Sequence, residues 1–343
     1  MDTLSQLLYL SQGQLQLDVF CQMKGHFSLP HVSSVEHETI FHLVLSGQCY
    51  VQIEKSAPIV LSEGTFLMLN RRQSHTLWSG ERDIEPPPFL HKNNGFLPVK
   101  YTKSEDQTQH VDLLCGRMTY AKGSGLLLLN GFPDMVVANL VEMPGLTVLN
   151  LFSQLLREEA INANQGAAAI LNGLAQTLFA FALRVYGQKP DINSSWLVLL
   201  AEPRLSRVFN SMLNEPQKGW TLDSLANVAS MSRATFVRQF KATANTTPGE
   251  VLQSIRMLKA LSLLQQNKYT LSDIAERVGY QSEAAFSKAF KSVFNCRPGQ
   301  WKKQQSKVQK FAQSKEELLL SFEVTSVTFL LSKVKTKLYL RLN

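Results

Sequence analysis

The chain has 343 residues, 44% of them hydrophobic and 18% charged, with a formal net charge of +8. That is enough apolar material for two or three domains with proper cores, while four scattered cysteines exclude a disulfide framework and a zinc-finger spacing. Met1–Leu10 has no basic start and is interrupted by Asp2, Ser5 and Gln6, which excludes a signal peptide, and no uninterrupted apolar run reaches the ~20 residues that span a bilayer.

Residues 1–18 read as a short amphipathic helix with Leu4, Leu7, Leu8 and Leu10 on its apolar side, followed by a turn at Gly13. From Val19 to about Gly131 the pattern shifts to short alternating segments: His37–Ser46, Gln48–Glu54, Ile59–Leu61, Thr65–Leu69, His75–Trp78 and Val111–Met118. Gly47, Pro58, Gly64 and Gly80 punctuate them. Many short strands with tight turns predict a small barrel or sandwich. Glu81–Gln109 is polar and carries Pro86-Pro87-Pro88, which reads as an exposed loop.

Gly131 to about Pro190 reads as helical. Val148–Ala163 puts Leu151, Leu155 and Leu156 on one side, and Gly166–Tyr186 does the same with Ile170, Leu174, Leu178, Phe181 and Val185. Such stripes serve either self-association or cover for the barrel. Gln188–Ser195 is a polar linker, and Pro203–Leu213 starts the next helix at a proline.

From Trp220 to Trp301 one helix-turn-helix pattern is written twice. Thr221-Leu222 with Leu225-Ala226 recurs as Thr270-Leu271 with Ile274-Ala275; Phe236, Phe240-Lys241 and Pro248 recur as Phe286, Phe290-Lys291 and Pro298. Thr221 caps the first helix, and Ser232 and Ser282 cap the second helix of each copy. Gly279 stands in the second turn, where φ is positive at little cost only for glycine. Phe236 and Phe240, and in the second copy Phe286, Phe290 and Phe294, form buried stripes. Between the copies a helix from Pro248 to about Gln266 predicts a spacer of roughly 25 Å, so that two recognition helices could enter adjacent major grooves, which recur every ~34 Å. Counting Lys and Arg against Asp and Glu, residues 1–215 carry −4, residues 216–303 carry +8 and residues 304–343 carry +4. A basic excess on the repeat supplies attraction to phosphates.

These residues, above all the run IAERVGYQSEAAFSKAFK followed by Pro298, resemble the DNA-binding domain of the AraC/XylS transcription regulators. The departures are Asn245 and Asn295, where that family has glycine; asparagine tolerates the left-handed conformation. Behind the caps Ser232 and Ser282, the outward positions are Arg233, Ala234, Thr235, Val237 and Arg238 in the first copy and Glu283, Ala284, Ser287 and Lys288 in the second, a DNA-facing set of which the resemblance implies that Ala234, Arg238, Glu283, Ala284 and Lys288 read bases. Arg238 is the foremost candidate, because arginine grips guanine in a bidentate way worth about 1–3 kcal/mol; the plain alternative is that Arg233, Arg238 and Lys288 only hold phosphates.

FHLVLSGQCYVQI, LSEGTFLMLNRRQSHTL and LLCGRM resemble the cupin-type sensor domain of one AraC subgroup. His75 matches the histidine of the second cupin motif, with Asn70 in place of the usual proline before it. The two-histidine-and-glutamate pattern of the first motif is missing around His42, so no metal or other cofactor is assigned. His42 and His75 are the weak metal candidates, set against His31, His37, His42 and His75 as ordinary strand or loop histidines. Cys21, shortly before LPH, and Cys115, in LLCGRM, match in context the thiols of an oxidant-responsive member of the subgroup, which implies redox sensing by an accessible, low-pKa thiolate captured by a second one. The alternative is that both are small apolar core residues. Cys49 and Cys296 read as incidental.

The expected fold class is α+β: a cupin-like β-barrel sensor domain at 1–131, a helical dimerisation or linker region at 132–195, an all-α double helix-turn-helix domain at 196–304, and an atypical tail at 305–343. The tail, with apolar Leu318–Leu331, reads as an added strand pair, a disordered extension or a product of altered reading frame. The expected function is a cytoplasmic, sequence-specific transcription regulator, by family an activator and a homodimer acting on double-stranded promoter DNA with RNA polymerase, with no membrane partner. Alternatives are a regulator that answers a small organic ligand or a metal in the cupin pocket, and a cupin enzyme with a DNA anchor. No Ser/His/Asp, Walker or GxGxxG arrangement supports an enzyme.

Overall fold

The computed structural model describes residues 2–11, 13–31, 38–69, 73–80, 87–93, 97–103, 110–120, 131–141, 148–162, 164–189 and 195–304. His37, Asn70, Pro86 and the tail 305–343 lie outside them. The chain divides into two compact units, Met1–Leu261 and Ser262–Asn343.

The first unit opens with helix α1 (Thr3–Ser11), which turns Leu7 and Leu10 inward. The helix expected over residues 1–18 stops there, because Gln14-Leu15-Gln16-Leu17 alternates with period two and buries Leu15 and Leu17, the signature of a strand. Eleven strands follow among the described residues: β1 (Gln14–Lys24), β2 (Phe27–His31), β3 (Glu38–Ser46), β4 (Gln48–Ile53), β5 (Ile59–Ser62), β6 (Thr65–Leu69), β7 (His75–Ser79), β8 (Leu90–Asn93), β9 (Pro98–Tyr101), β10 (His110–Thr119) and β11 (Met135–Asn139). They form a seven-stranded sheet in the order β11-β6-β3-β10-β1-β9-β8 and a four-stranded sheet in the order β2-β7-β4-β5. One continuous core fills the space inside, drawn from both: Met23, Leu67, Leu113 and Cys115 from the larger sheet and Phe27, Cys49, Val51, Leu61 and Leu77 from the smaller. Two facing sheets around one core fit the small barrel or sandwich that the short strands predict and the cupin-type domain that the resemblance implies.

Two stretches differ from expectation. The polar segment Glu81–Gln109 contains β8 and β9; β9 runs parallel to β1 with Phe20 opposite Val99, and only its alternate residue Val99 goes into the core, which left too little apolar pattern to read as a strand. The region read as helical from Gly131 begins instead with β11, which pairs antiparallel with β6 and buries Val136 and Ala138 on one face.

Helices α2 (Val148–Asn162) and α3 (Ala167–Gly187) come next. The α3 stripe is out of phase with the expected one. Its buried side is Ala167, Leu171, Ala175, Leu178, Phe179, Ala182, Leu183 and Tyr186, because small alanines let the helix lie close against β11 and β1, and Ile170 is left exposed while Leu174, Phe181 and Val185 are half-buried. α3 is long and apolar enough to cross a membrane by length and composition alone, and it packs on the sheet. On α2 only Leu156 of the expected stripe is buried; Leu151 and Leu155 are exposed. Helix α4 (Trp196–Ala201), absent from the sequence reading, lays Trp196 on Gly131, where any Cβ would collide with the indole, and against Phe209 of α5 (Pro203–Asn214) at 5.7 Å between ring centres. The expected helix from Pro203 is thus present, with Glu202 accepting from the Leu205 N–H at its start.

Candidate DNA-recognition faces and sensor core

In the first copy α6 (Leu222–Val228) and α7 (Arg233–Ala244) make the helix-turn-helix. Thr221 Oγ1 accepts from the Ser224 N–H and Ser224 Oγ from the Thr221 N–H, a reciprocal capping box that the sequence reading had only half identified. Ser232 caps α7 by accepting from Thr235 N–H. Phe236 and Phe240 are fully buried with ring centres 5.6 Å apart, and Ala226 is buried at the crossing. With that side committed to the core, Ser232, Arg233, Ala234 and Arg238 are exposed and Thr235 half-exposed along the opposite face. Arg233 reaches Asp223 at 3.7 Å.

The second copy repeats this in its own unit with α9 (Leu271–Arg277) and α10 (Glu283–Phe294); the helix between the copies, α8, spans Pro248–Gln266. Thr270 and Asp273 form its capping box, and Ser282 accepts from Ala285 N–H. Phe286 and Phe290 are fully buried, while Phe294, expected in the same stripe, is only half-buried at the last turn. Glu283, Ala284 and Lys288 are exposed and Ser287 half-exposed.

The turns are built from the same bonds. Met231 N–H donates to Ala226 O at 3.0 Å and Tyr280 N–H to Ala275 O at 2.8 Å, each across a residue of positive φ: Ser230 at 54° and Gly279 at 89°. The glycine was legible; that a serine does the same work in the first copy was not. Asn245 and Asn295 end α7 and α10 at φ 55° and 54°, so the departures from glycine keep the left-handed cap.

The sensor core is built where the two sheets face each other. His42 on β3 lies directly opposite Cys115 on β10, and Cys21 on β1 is paired with Leu113, two residues along the same face of β10. His42 Nδ1 is 3.0 Å from Cys115 Sγ, and its Nε2 is 2.8 Å from His75 Nε2 on β7 of the other sheet. His75 in turn faces His31 on β2, rings stacked at 4.7 Å, and His75 Nδ1 donates to the Gln73 carbonyl. The structure therefore joins both cysteines and both histidines singled out in the sequence and adds His31, which sequence left among ordinary histidines.

Burial governs the electrostatics. It holds all three imidazoles below their usual value, His31 at about 4, so they are neutral near pH 7. The hydrogen bond with Cys21 and burial push the Cys115 thiol up, and burial pushes Cys49 up to about 12. Cys21 and Cys115 are both buried, so the fold presents Cys115 as an enclosed, neutral thiol rather than the accessible thiolate expected from sequence. Cys296 is half-exposed.

Residues 2–188 match the cupin family and residues 225–304 a helix-turn-helix domain family. The chain is 29% identical over 303 residues to an uncharacterised HTH-type transcriptional regulator of Haemophilus influenzae, covering 88% of this chain and 99% of that one. It is 30% identical over 271 residues to an AraC-like transcription regulator of Streptomyces lividans, covering 77% and 86%. It is 26% identical over 302 residues to RclR, an RCS-specific HTH-type transcriptional activator of Escherichia coli, covering 88% and 97%. With the cupin match running over more than half of its length and the paired helix-turn-helix units behind it, this chain belongs to the AraC family of DNA-binding transcription regulators, in the group that carries an N-terminal cupin domain.

Proposed function

We propose that this regulator is a cytoplasmic homodimer and not an enzyme, that it activates transcription with RNA polymerase at promoter DNA, and that its cupin domain reads oxidation of Cys21 and Cys115. The observation that carries the DNA-reading part is the pair of exposed recognition-helix faces on a stretch of net charge +8. Arg238 is the foremost base reader, with Ala234, Glu283, Ala284 and Lys288 at the other base-reading positions and Ser232, Arg233, Thr235, Ser282 and Ser287 completing the two faces. Arg238→Ala, measured by fluorescence anisotropy on an operator fragment and on random DNA, should lose about 1–3 kcal/mol on the operator alone. An equal loss on both fragments assigns Arg238 to phosphate instead.

The thiol reading is supported by the placement of Cys21 opposite Leu113, two residues from Cys115 on the paired strand, and by the imidazole against Cys115. A two-electron oxidant of the hypochlorous acid class converts the two thiols to a disulfide: both S–H bonds break, one S–S bond forms, and water, chloride and a proton are released. Because His42 is placed to accept the Cys115 proton, the enclosed thiol has a local base. Forming the S–S bond ends the Cys115–His42 hydrogen bond inside the barrel, and this is the change passed to the rest of the chain. Exposing reporter cells to hypochlorite should induce transcription from the operator in the unaltered protein and fail to do so with Cys21→Ser or Cys115→Ser. Full induction in both variants would remove the thiols from the mechanism.

A further inference from the structure

The thiol reading explains why His42 touches Cys115, but not why two more imidazoles crowd its other side. We propose that His31, His42 and His75 form a three-histidine site for a borderline divalent transition metal of the zinc(II) class, one ligand coming from β3 and two from the facing sheet. Their ligand nitrogens all lie within 4.8 Å of one another, with His42 Nε2 and His75 Nε2 at 2.8 Å. Two nitrogens on a tetrahedral zinc stand ~3.3 Å apart for Zn–N bonds of ~2.0–2.1 Å, so the cluster closes on an ion by side-chain adjustments alone. The donor set is all nitrogen with no carboxylate in the group, which suits zinc, cobalt, nickel or copper and not magnesium or calcium. It also differs from the two-histidine-and-glutamate pattern of the first cupin motif, which this chain lacks.

Three details favour a ligand over a self-contained hydrogen-bond chain. The Gln73 carbonyl can only accept, so His75 carries its proton on Nδ1 and turns the lone pair of Nε2 toward the cluster. With that lone pair fixed, His42 must donate from Nε2 to His75 and accept from the Cys115 thiol at Nδ1. This chain of bonds accounts for His42 and His75 and leaves out His31, whose Nε2 is buried with no hydrogen-bond partner. An orphan buried nitrogen costs about 1–3 kcal/mol, a cost that a coordinated ion removes.

Metal entry has a defined proton balance. The N–H at His42 Nε2 breaks as the N–metal bond forms, and the proton is replaced by one on Nδ1, so the imidazole remains neutral. Nδ1 then donates to Cys115 Sγ where before it accepted. Cys115 itself stays out of the coordination sphere, because it lies on the Nδ1 side of the ring. A bound ion thus reverses the hydrogen bond between His42 and Cys115, so that the imidazole donates and the sulfur accepts.

The test uses the full-length chain without a polyhistidine tag, stripped with chelator and titrated with cobalt(II). One equivalent should bind, displaceable by zinc(II), with visible absorption of a tetrahedral nitrogen site and no sulfur-to-metal charge-transfer band. His31→Gln and His75→Gln should each weaken uptake by about 100-fold or more, while retained circular dichroism and operator binding show that both variants fold. Cys21→Ser and Cys115→Ser should bind cobalt with an unchanged spectrum, and histidine side-chain nitrogen NMR should show the His42 proton moving from Nε2 to Nδ1 on zinc binding. No uptake by the unaltered chain, uptake indifferent to His31 and His75, or a charge-transfer band lost in Cys115→Ser each overturns the site. None of these outcomes bears on the response to hypochlorite, which is read separately in cells.

Discussion

Ser230 and Gly279 occupy the same place in the two turns and share the same backbone bond pattern, yet only one of them is suited to its φ. A left-handed conformation costs a side-chain-bearing residue roughly 1–2 kcal/mol, partly offset by the greater unfolded-state freedom of glycine, about 0.5–1 kcal/mol. Ser230→Gly should therefore stabilise the chain by about 0.5 kcal/mol and Gly279→Ser should destabilise it by about 1 kcal/mol in urea denaturation, with operator affinity kept in the first case. If Ser230→Gly destabilises, the serine side chain has a role in the turn that its φ does not reveal. Residues of this sort show how far sequence goes. The exposed face of each recognition helix was legible because phenylalanines four apart and a capping serine fix which side turns inward. The contact of Cys115 with His42 was not, since it depends on strand register across β1, β10 and β3 and on which face meets the other sheet, and neither leaves a local signal.

At the scale of elements, α2 is tied to the barrel by a buried charge. Asp112 on β10 is almost fully enclosed; Arg157 of α2 reaches it at 3.1 Å and also donates to the Leu45 carbonyl at 3.0 Å, while His110 approaches the other carboxylate oxygen at 2.9 Å. Burial raises the Asp112 carboxyl, with His110 and Arg157 pulling it back down. Removing one partner of a buried pair costs about 3–5 kcal/mol, and since Arg157 is a third exposed the loss for Arg157→Ala should fall at about 2–3 kcal/mol. Asp112→Asn in the same chain should recover part of it, and a double-mutant cycle by thermal unfolding measures how much. Full additivity would mean that the pair is not coupled. The apolar pattern told that α2 and α3 are helices but left open whether their stripes cover the barrel or stay exposed, and most of the striped residues are not buried. On α3 the true inner face is rich in alanine, whose burial depends on how near the sheet lies and carries little weight in a hydrophobic pattern. β9 escaped notice for a related reason: an edge-side strand with one face in the core shows a single alternate valine.

For the molecule as a whole, the same stripes bear on assembly. Leu151 is 67% exposed, Leu155 39% and Ile170 40%, and α3 adds half-buried Leu174, Phe181 and Val185. Apolar side chains at this density are costly to leave in water, at roughly 25 cal/mol per Å² of surface that a partner could cover. In the proposed homodimer a second copy of the chain covers this surface, because a two-fold assembly buries one patch against the identical patch. The double substitution Leu151→Glu with Leu155→Glu replaces the most exposed part of that surface with charge, and Leu156, the buried residue beneath it, is left in place. Sedimentation velocity should show the unaltered chain as a dimer at micromolar concentration and the variant as a monomer with an unchanged melting temperature. On DNA the variant should bind a single site as before and lose its advantage on an operator with two sites, since the second copy no longer arrives tethered to the first. A variant that remains dimeric would move the self-association surface elsewhere and leave these leucines without a partner of this kind.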